Sequence, residues 1–384
     1  MVPFLLSLYF HIPFCEHKCL YCDFYSVENM SSMETFVASL EREIELRGRE
    51  AGGRQEVGTI FFGGGTPSLL TRAHFDRLFT RIHEHFRVAA DAEVTCESNP
   101  GTVELSKLTE FRAAGFNRVS FGVQSFFDDD LRFLTRIHTA EEAERAAESA
   151  YRAGFANVNL DLIFALPGQT PERWRENLRR AAALRPAHIS AYALIVEENT
   201  PLAVMVKNKL VAPLPDEEDA AMYEITIETL AGAGYRQYEV SNFARPGYEC
   251  RHNMAYWNHA DYLSFGPSAH SFRKDSQVTG RRWWNVRSVQ SYIDALARDE
   301  FPVSGGEEVT REKFFDEEVF LGLRSTGVDL GRLERLYGAG IVTGKEGLLQ
   351  ELERSGLLRR QKSVIALTAK GYAVCDEIAR RLIG

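Results

Sequence analysis

Cys15, Cys19 and Cys22 stand within eight residues in the pattern C-x-x-x-C-x-x-C, directly after the apolar run Phe4-Leu5-Leu6-Ser7-Leu8-Tyr9-Phe10. Such crowding of thiols points to a metal. Iron-sulfur clusters are held by cysteine thiolates, and a cubane has four corners, so three cysteines with no obvious fourth leave one iron open to a substrate or cofactor. His11-Ile12-Pro13-Phe14 leads into the run, Tyr21 lies inside it and Asp23-Phe24 follows. Proline and the short spacings favour a loop wrapped round its ligand. A zinc site completed by His11 or His17, or a disulfide with one spare thiol, uses similar spacing. A disulfide scaffold fits poorly, because a chain of 384 residues buries a large core without covalent staples.

The elements that must position this loop follow from the alternation of short β-type runs with amphipathic helical stretches, the pattern of βαβ units around a parallel sheet. Strands are predicted at 5–10, 58–62, 92–96, 118–122, 158–163 and 188–194, and helices at 33–50, 72–85, 104–114, 140–153 and 171–184. Gly115 and Gly154 each end a helix just before the next strand. Polar residues gather where strands end. The cysteine loop follows the first, Gly63-Gly64-Gly65-Thr66-Pro67 the second and Glu97-Ser98-Asn99-Pro100 the third; Gln124 follows the fourth and Asp161 lies in the fifth. In parallel α/β barrels the carboxyl ends of the strands carry the site, so these residues are expected at one mouth.

The expected fold is α/β: a partial (β/α)6 TIM-like barrel over residues 1–235, an aromatic and histidine-rich connecting segment over 236–305, and a mainly helical, winged-helix-like C-terminal domain over 306–384. In that last segment a helix is predicted at 345–355, a hairpin at 357–367 and one final helix at 370–382. DNA binding is not expected of it, since the helix that would enter a groove carries Glu346, Glu351 and Glu353. With 45 basic and 54 acidic residues the formal charge is -9, which suggests no general affinity for nucleic acid or anionic membrane. The apolar N-terminal run is too short to span a bilayer and lacks a basic leader, so the expected compartment is the cytosol. Cys96 and Cys375 are expected to be core residues.

Read together, the motifs resemble those of the radical SAM superfamily, in the branch of oxygen-independent coproporphyrinogen III oxidase and the HemW heme chaperones. The likeness rests on Tyr9-Phe10-His11-Ile12-Pro13-Phe14-Cys15 with Cys19 and Cys22, on Phe62-Gly63-Gly64-Gly65-Thr66-Pro67, on Glu97-x-Asn99-Pro100, on Ser120-Phe121-Gly122-Val123-Gln124-Ser125-Phe126, and on Asn159-Leu160-Asp161-Leu162-Ile163-x-x-Leu166-Pro167-Gly168. The resemblance implies a 4Fe-4S cluster on the three cysteines, with S-adenosylmethionine (SAM) on the fourth iron. It also implies SAM contacts from Tyr9, Tyr21, Gly65, Thr66, Glu97, Gln124, Arg136, Asp161 and Ala193.

Within that branch two functions of different class compete, an oxidative decarboxylase and a heme carrier. The oxidase typically follows its third cysteine with Gly-Cys, whereas Asp23-Phe24 follow Cys22 here. The start of the chain almost at the first strand, without the oxidase's N-terminal extension, is a second expectation in favour of the carrier. Cys250-Arg251-His252-Asn253-Met254-Ala255-Tyr256-Trp257 contains the H-N-x-x-Y element associated with heme in the chaperone group. Histidine is a common axial ligand of heme iron, and on a helix His252 and Tyr256 share a face. The resemblance thus implies His252 as ligand to heme iron, Tyr256 beside it, an acceptor protein for the heme, and a flavodoxin or ferredoxin as electron donor. A radical SAM enzyme with another small-molecule substrate is a third reading.

Overall fold

The computed structural model describes residues 5–50, 53–338 and 340–383. Six parallel strands, β1 (Leu6–Ile12), β2 (Glu56–Gly64), β3 (Arg87–Ser98), β4 (Arg118–Gln124), β5 (Asn157–Phe164) and β6 (His188–Ala193), run side by side in sequence order. Helices α1 (Met33–Glu50), α2 (Arg72–His85), α3 (Leu105–Ala114), α4 (Asp128–Phe133), α5 (Ala140–Arg152) and α6 (Pro171–Ala183) connect them. Then come α7 (Pro201–Lys207), α8 (Asp216–Gly232), β7 (Arg236–Gln237), β8 (Asn242–Ala244), α9 (Arg251–Trp257), β9 (Tyr262–Phe265), β10 (His270–Lys274), β11 (Gly280–Asn285), α10 (Val289–Ala297) and β12 (Val303–Val309). The barrel is partial, as expected. β6 meets β8 instead of returning to β1, and β9 pairs with the free side of β1, giving the order β12-β11-β10-β9-β1-β2-β3-β4-β5-β6-β8-β7. Residues 236–309 therefore extend both sides of the same sheet.

Alternation along each strand separates two environments. Leu8, Phe10, Ile60, Phe62, Val94, Cys96, Val119, Phe121, Val158, Leu160, Ile189 and Ala191 point outward into the main core under the helices. There Phe62 packs edge-on against Phe75, Phe79 and Phe116 with centroids 5.3 to 5.7 Å apart. The intervening residues, among them Ser7, Thr59, Glu93, Arg118, Ser120, Asn159, His188 and Ser190, are buried and polar. Each must find a partner inside the barrel, since an unpaired buried polar group is costly.

Helix ends follow the chemistry read from the sequence. Thr71, Thr139 and Thr170 accept from backbone amides at the starts of α2, α5 and α6. Gly115 and Gly154 adopt φ values of 113° and 90°, the left-handed conformation that glycine enters without a Cβ clash. The last domain has its own core around Leu323, Leu333, Leu352, Ile365 and Leu382. Its small antiparallel sheet joins Val328–Asp329, Leu358–Gln361 and Val364–Leu367. One prediction there needs correcting: the single helix expected at 370–382 is two, Ala369–Tyr372 and Cys375–Ile383, with a break at Ala373 and Val374. Cys96 lies in the main core as expected, but Cys375 is only partly buried.

A buried carboxylate of α1 ties part of the connecting segment to the barrel. Glu43 of α1 is fully buried and accepts from Gly266 N at 2.9 Å, Asn285 Nδ2 at 2.8 Å and Tyr292 Oη at 2.6 Å. Glu43→Ala removes the acceptor of three buried donors, of which Asn285 Nδ2 keeps a second bond, to Gly266 O at 2.9 Å, and unsatisfied groups cost about 1–3 kcal/mol each without strict additivity. A loss of about 3 kcal/mol is expected, seen as a lower urea midpoint; an unchanged midpoint would refute the anchoring role.

Candidate functional site

The carboxyl ends of β1 to β6 meet at a cavity of about 450 Å³. Cys15, Cys19 and Cys22 line it together with Tyr21, and so do Gly65, Thr66, Glu97, Gln124, Arg136, Asp161 and Ala193. Residues from distant parts of the chain thus converge because parallel strands all end on one side. Tyr9 does not line this cavity. It lies below it on the inner face of β1, its hydroxyl 3.2 Å from His11 Nδ1 and its ring stacked near Phe61.

The cysteine loop is held by backbone and side-chain bonds. Cys15 N donates to Val27 O at 3.0 Å, and Cys22 N to Cys19 O at 3.1 Å. His11, buried on β1, holds Tyr25 O through Nε2 at 2.8 Å. Leu20 N donates to Thr135 Oγ1 at 3.0 Å, which docks the loop on the segment after α4. Thr66 Oγ1 lies 3.6 Å from Cys15 Sγ, and Arg136 Nη1 lies 3.4 Å from Cys19 Sγ. Burial pushes the Cys22 thiol up to about 11 and raises that of Cys15. Deprotonated thiolates here need a compensating cation, and metal binding supplies one while releasing protons. Among the described residues no three His, Cys, Asp or Glu side chains converge as a single-ion site. The thiols of Cys15, Cys19 and Cys22 rim the cavity.

Two features mark the wall of this cavity. The Nε of Arg136 is buried without a partner, while Nη2 donates to Gly122 O at 2.7 Å. A guanidinium with a free donor suits a carboxylate. At Gly65, a Cβ would stand 2.6 Å from Phe14 O and 2.8 Å from Ile12 O, so only glycine fits this close approach of two chain segments. Gln124 has φ of 67°, uncommon for a residue with a side chain, at a register shift between β4 and β5. Such local strain is concentrated at functional sites. Sequence reasoning passed over Gly122 and Thr135. A Cβ at Gly122 would meet Gln124 Nε2 at 3.0 Å and Arg136 Nη2 at 3.3 Å, and the only available signal was its place within the motif.

The two carboxyl groups differ in their support. Asp161 accepts from Ser120 Oγ at 2.9 Å and from Asn159 Nδ2 at 2.7 Å, and Asn159 is itself held by His188 Nδ1 at 2.6 Å. Among the described residues the Glu97 carboxyl accepts only from Gly64 N, at 3.2 Å. Burial, with the Asp161 charge next, pushes the Glu97 carboxyl up to about 8.

The proposed heme residues lie elsewhere. His252 is 1% exposed, on α9 at the opposite end of the barrel interior from the cysteine loop. Its Nδ1 is 2.8 Å from Thr59 Oγ1, its Nε2 is 3.0 Å from Tyr256 Oη, and its ring stacks on Phe61 at 5.0 Å. Glu93 caps this helix, accepting from Arg251 N at 3.2 Å and His252 N at 3.1 Å. Burial and then the charge of Arg118 hold the imidazole pKa down, to about 3, so it is neutral. A neutral imidazole fits iron as a donor. Both nitrogens are engaged within the protein, and the ring is enclosed.

The unequal support of the two carboxyls has a consequence for the metal-free protein. Glu97 binds its proton more tightly when folded than when unfolded, where its value is 4.5. The stability this contributes is complete below about 4.5 and is lost as pH rises through about 8. Wild-type urea midpoints are expected to fall more between about pH 5 and pH 9 than those of Glu97→Gln; equal slopes would refute the raised Glu97 pKa.

Comparison with known proteins agrees with this geometry. The radical SAM superfamily model matches residues 9–181, and the HemN C-terminal domain model matches 309–374. The chain is 38% identical to the heme chaperone HemW of Bacillus subtilis (strain 168), covering 98% of this chain and 99% of that one. Against the HemW of Mycobacterium tuberculosis it is 36% identical, covering 98% and 95%. Among solved structures, coproporphyrinogen III oxidase (HemN) from Escherichia coli, described as a radical SAM enzyme, superposes with a TM-score of 0.84 at 27% identity over 99% of this chain and 90% of that one. No helix among the described residues is long and apolar enough to cross a membrane. The thiol-rimmed cavity at the strand ends and the full-length likeness lead to one conclusion: this chain belongs to the HemW family of the radical SAM superfamily.

Proposed function

We propose that this protein is a heme chaperone that binds heme, passes it to an acceptor protein, and carries a 4Fe-4S cluster on Cys15, Cys19 and Cys22 with SAM on the open iron. The observation that carries the reading is likeness along the whole chain to proteins named heme chaperones, joined to Asp23-Phe24 where the oxidase has Gly-Cys. Phe24 is 68% exposed at the rim of the cysteine cavity, and Asp23 O accepts from Arg287 Nη2 at 3.0 Å. No cysteine sulfur stands at that point. When bound, the reduced cluster supplies one-electron chemistry toward SAM. The chain's own part is to seat it: Arg136 offers its free Nε to the SAM carboxylate, Gly65 and Thr66 admit the methionine end, and Asp161, Gln124 and Glu97 offer polar contacts. Tyr21 and Ala193 close the cavity wall, while Tyr9 acts from below, through His11 and the floor of the cavity.

Heme is assigned to His252, with Tyr256 beside it, on the chemistry of a neutral imidazole whose second nitrogen is already held. A flavodoxin or ferredoxin is the class of donor that would reduce the cluster, and the cytosol is the compartment proposed. The oxidase is the second reading, favoured by the TM-score of 0.84 to coproporphyrinogen III oxidase.

Three measurements on anaerobically reconstituted protein test these assignments. Cys19→Ala is expected to lose iron and the brown chromophore; full iron retention would sink the ligand set. His252→Ala is expected to lose the specific Soret band that wild-type protein develops with heme, and identical Soret changes in both would count against His252. Coproporphyrinogen III supplied with SAM and reductant is expected to remain unchanged, and turnover would restore the oxidase reading.

A further inference from the structure

A second cavity, of about 860 Å³, opens at the other end of the strands. Its lining includes Leu6 and Glu56, the first residues of β1 and β2, and it shares no residue with the cysteine cavity at their carboxyl ends. One wall comes from the large sheet and its turns, through Asp261, Arg273 and Lys274. The facing wall comes from the last domain, through Glu318 of α11 (Arg311–Leu323) and through Asp329 and Arg332 around the start of α12 (Leu330–Tyr337). Trp257, the last residue of α9, adds a half-buried aromatic ring. The volume is that of a site for a small organic molecule.

The charges in this cleft are unequally matched. Every carboxylate named is occupied: Asp261 accepts from Lys274 N at 2.9 Å and lies 3.4 Å from Arg273 Nε, and Glu318 accepts from Arg332 Nε at 2.6 Å and from Tyr337 Oη at 3.2 Å. Glu56 accepts from Arg87 Nη2 at 2.7 Å, and Asp329 from Arg332 N at 3.2 Å. The Lys274 ammonium has no hydrogen bond or ion pair among the described residues, its one neighbour of note being the Phe314 ring at 5.9 Å, and the two terminal nitrogens of Arg332 are equally without partners. Burial holds the Lys274 pKa below its usual value; the Asp261 and Glu318 charges oppose that shift and the Arg332 charge adds to it. Two cations from different domains thus share a partly desolvated space with donors unspent. An anion there would meet charge-assisted hydrogen bonds from both walls.

We propose that this cleft binds a small organic anion, with its phosphate or carboxylate head on Lys274 and Arg332 and a flat apolar body against Trp257. Such a ligand bridges the sheet and the last domain, so its binding stabilises their docking by mass action. Lys274 is the residue on which this turns. Its ammonium is desolvated in the free protein without a bond in return, a cost that only a ligand offsets.

Calorimetric titration of the full-length protein with phenyl phosphate, benzoate and inorganic phosphate tests the site; the first two separate phosphate from carboxylate, and the third lacks the apolar body. The tighter aromatic probe is expected to bind about tenfold or more strongly than inorganic phosphate, from burial of its ring. Lys274→Met is expected to weaken that probe about tenfold or more, the loss of one charge-assisted hydrogen bond, while the urea midpoint of the ligand-free protein stays the same or rises. Trp257→Ala is expected to remove the advantage of the aromatic probe over inorganic phosphate. Absence of saturable binding by all three probes overturns the site, and so does equal affinity in wild type and Lys274→Met. A lower ligand-free midpoint in Lys274→Met overturns the unspent charge and makes the lysine a structural ion. Inorganic phosphate binding as tightly as both aromatic probes overturns the role of Trp257.

Discussion

The period of two along a β-strand governs this molecule. Six parallel strands turn alternate residues outward to a phenylalanine-rich core and inward to a barrel that does not close. The outward set is stabilised by packing under the helices. The inward set is polar and must be paired in the interior, because buried donors and acceptors without partners cost more than most single contacts return. Much of the architecture beyond β6 serves that demand. β8 completes the open side at β6, β9 covers β1, and α9 enters the floor with its amino end on Glu93.

The same constraint produces two sites of different character in one barrel. At the strand ends, irregular backbone and glycine leave a cavity, and groups such as Arg136 Nε remain without partners. That is the signature of a place built to receive something. At the floor, Thr59, Glu93, His252 and Tyr256 satisfy one another. A closed set of this kind leaves no buried donor or acceptor of its own pointing to an outside partner.

Most strands and helices of the barrel were legible from residue pattern, with boundaries shifted by a few positions. Helices 33–50 and 72–85 agree with the structure, since each has a strong apolar stripe and the second a threonine cap. The final helix was misread because its apolar spacing continues across Ala373 and Val374, while the break comes from docking of Gly371 beneath the hairpin, where a Cβ would meet Leu357 O at 2.0 Å. At the site, the cysteines, Gly65, Thr66, Glu97, Gln124 and Asp161 could be placed at one mouth, because parallel strands put their carboxyl ends on one side, whereas Arg136, beyond α4, followed from the family resemblance alone. Thr135 and Gly122 were not legible. Their importance lies in what they touch across the fold, and no spacing encodes that.

By itself the sequence determined the chemistry available: three thiols in a loop, an acid or amide at successive strand ends, and a histidine one helical turn from a tyrosine. Local spacing suffices for that, since a loop or a single turn of helix brings such residues together whatever surrounds them. Only the tertiary structure decided their states. It kept His252 out of the wall of the cysteine cavity, put Tyr9 below that cavity instead of in its wall, left Arg136 a free donor and pushed the Glu97 carboxyl up to about 8. It also closed both nitrogens of His252. Those outcomes depend on burial and on partners supplied from distant strands, and neither exists until the sheet has assembled.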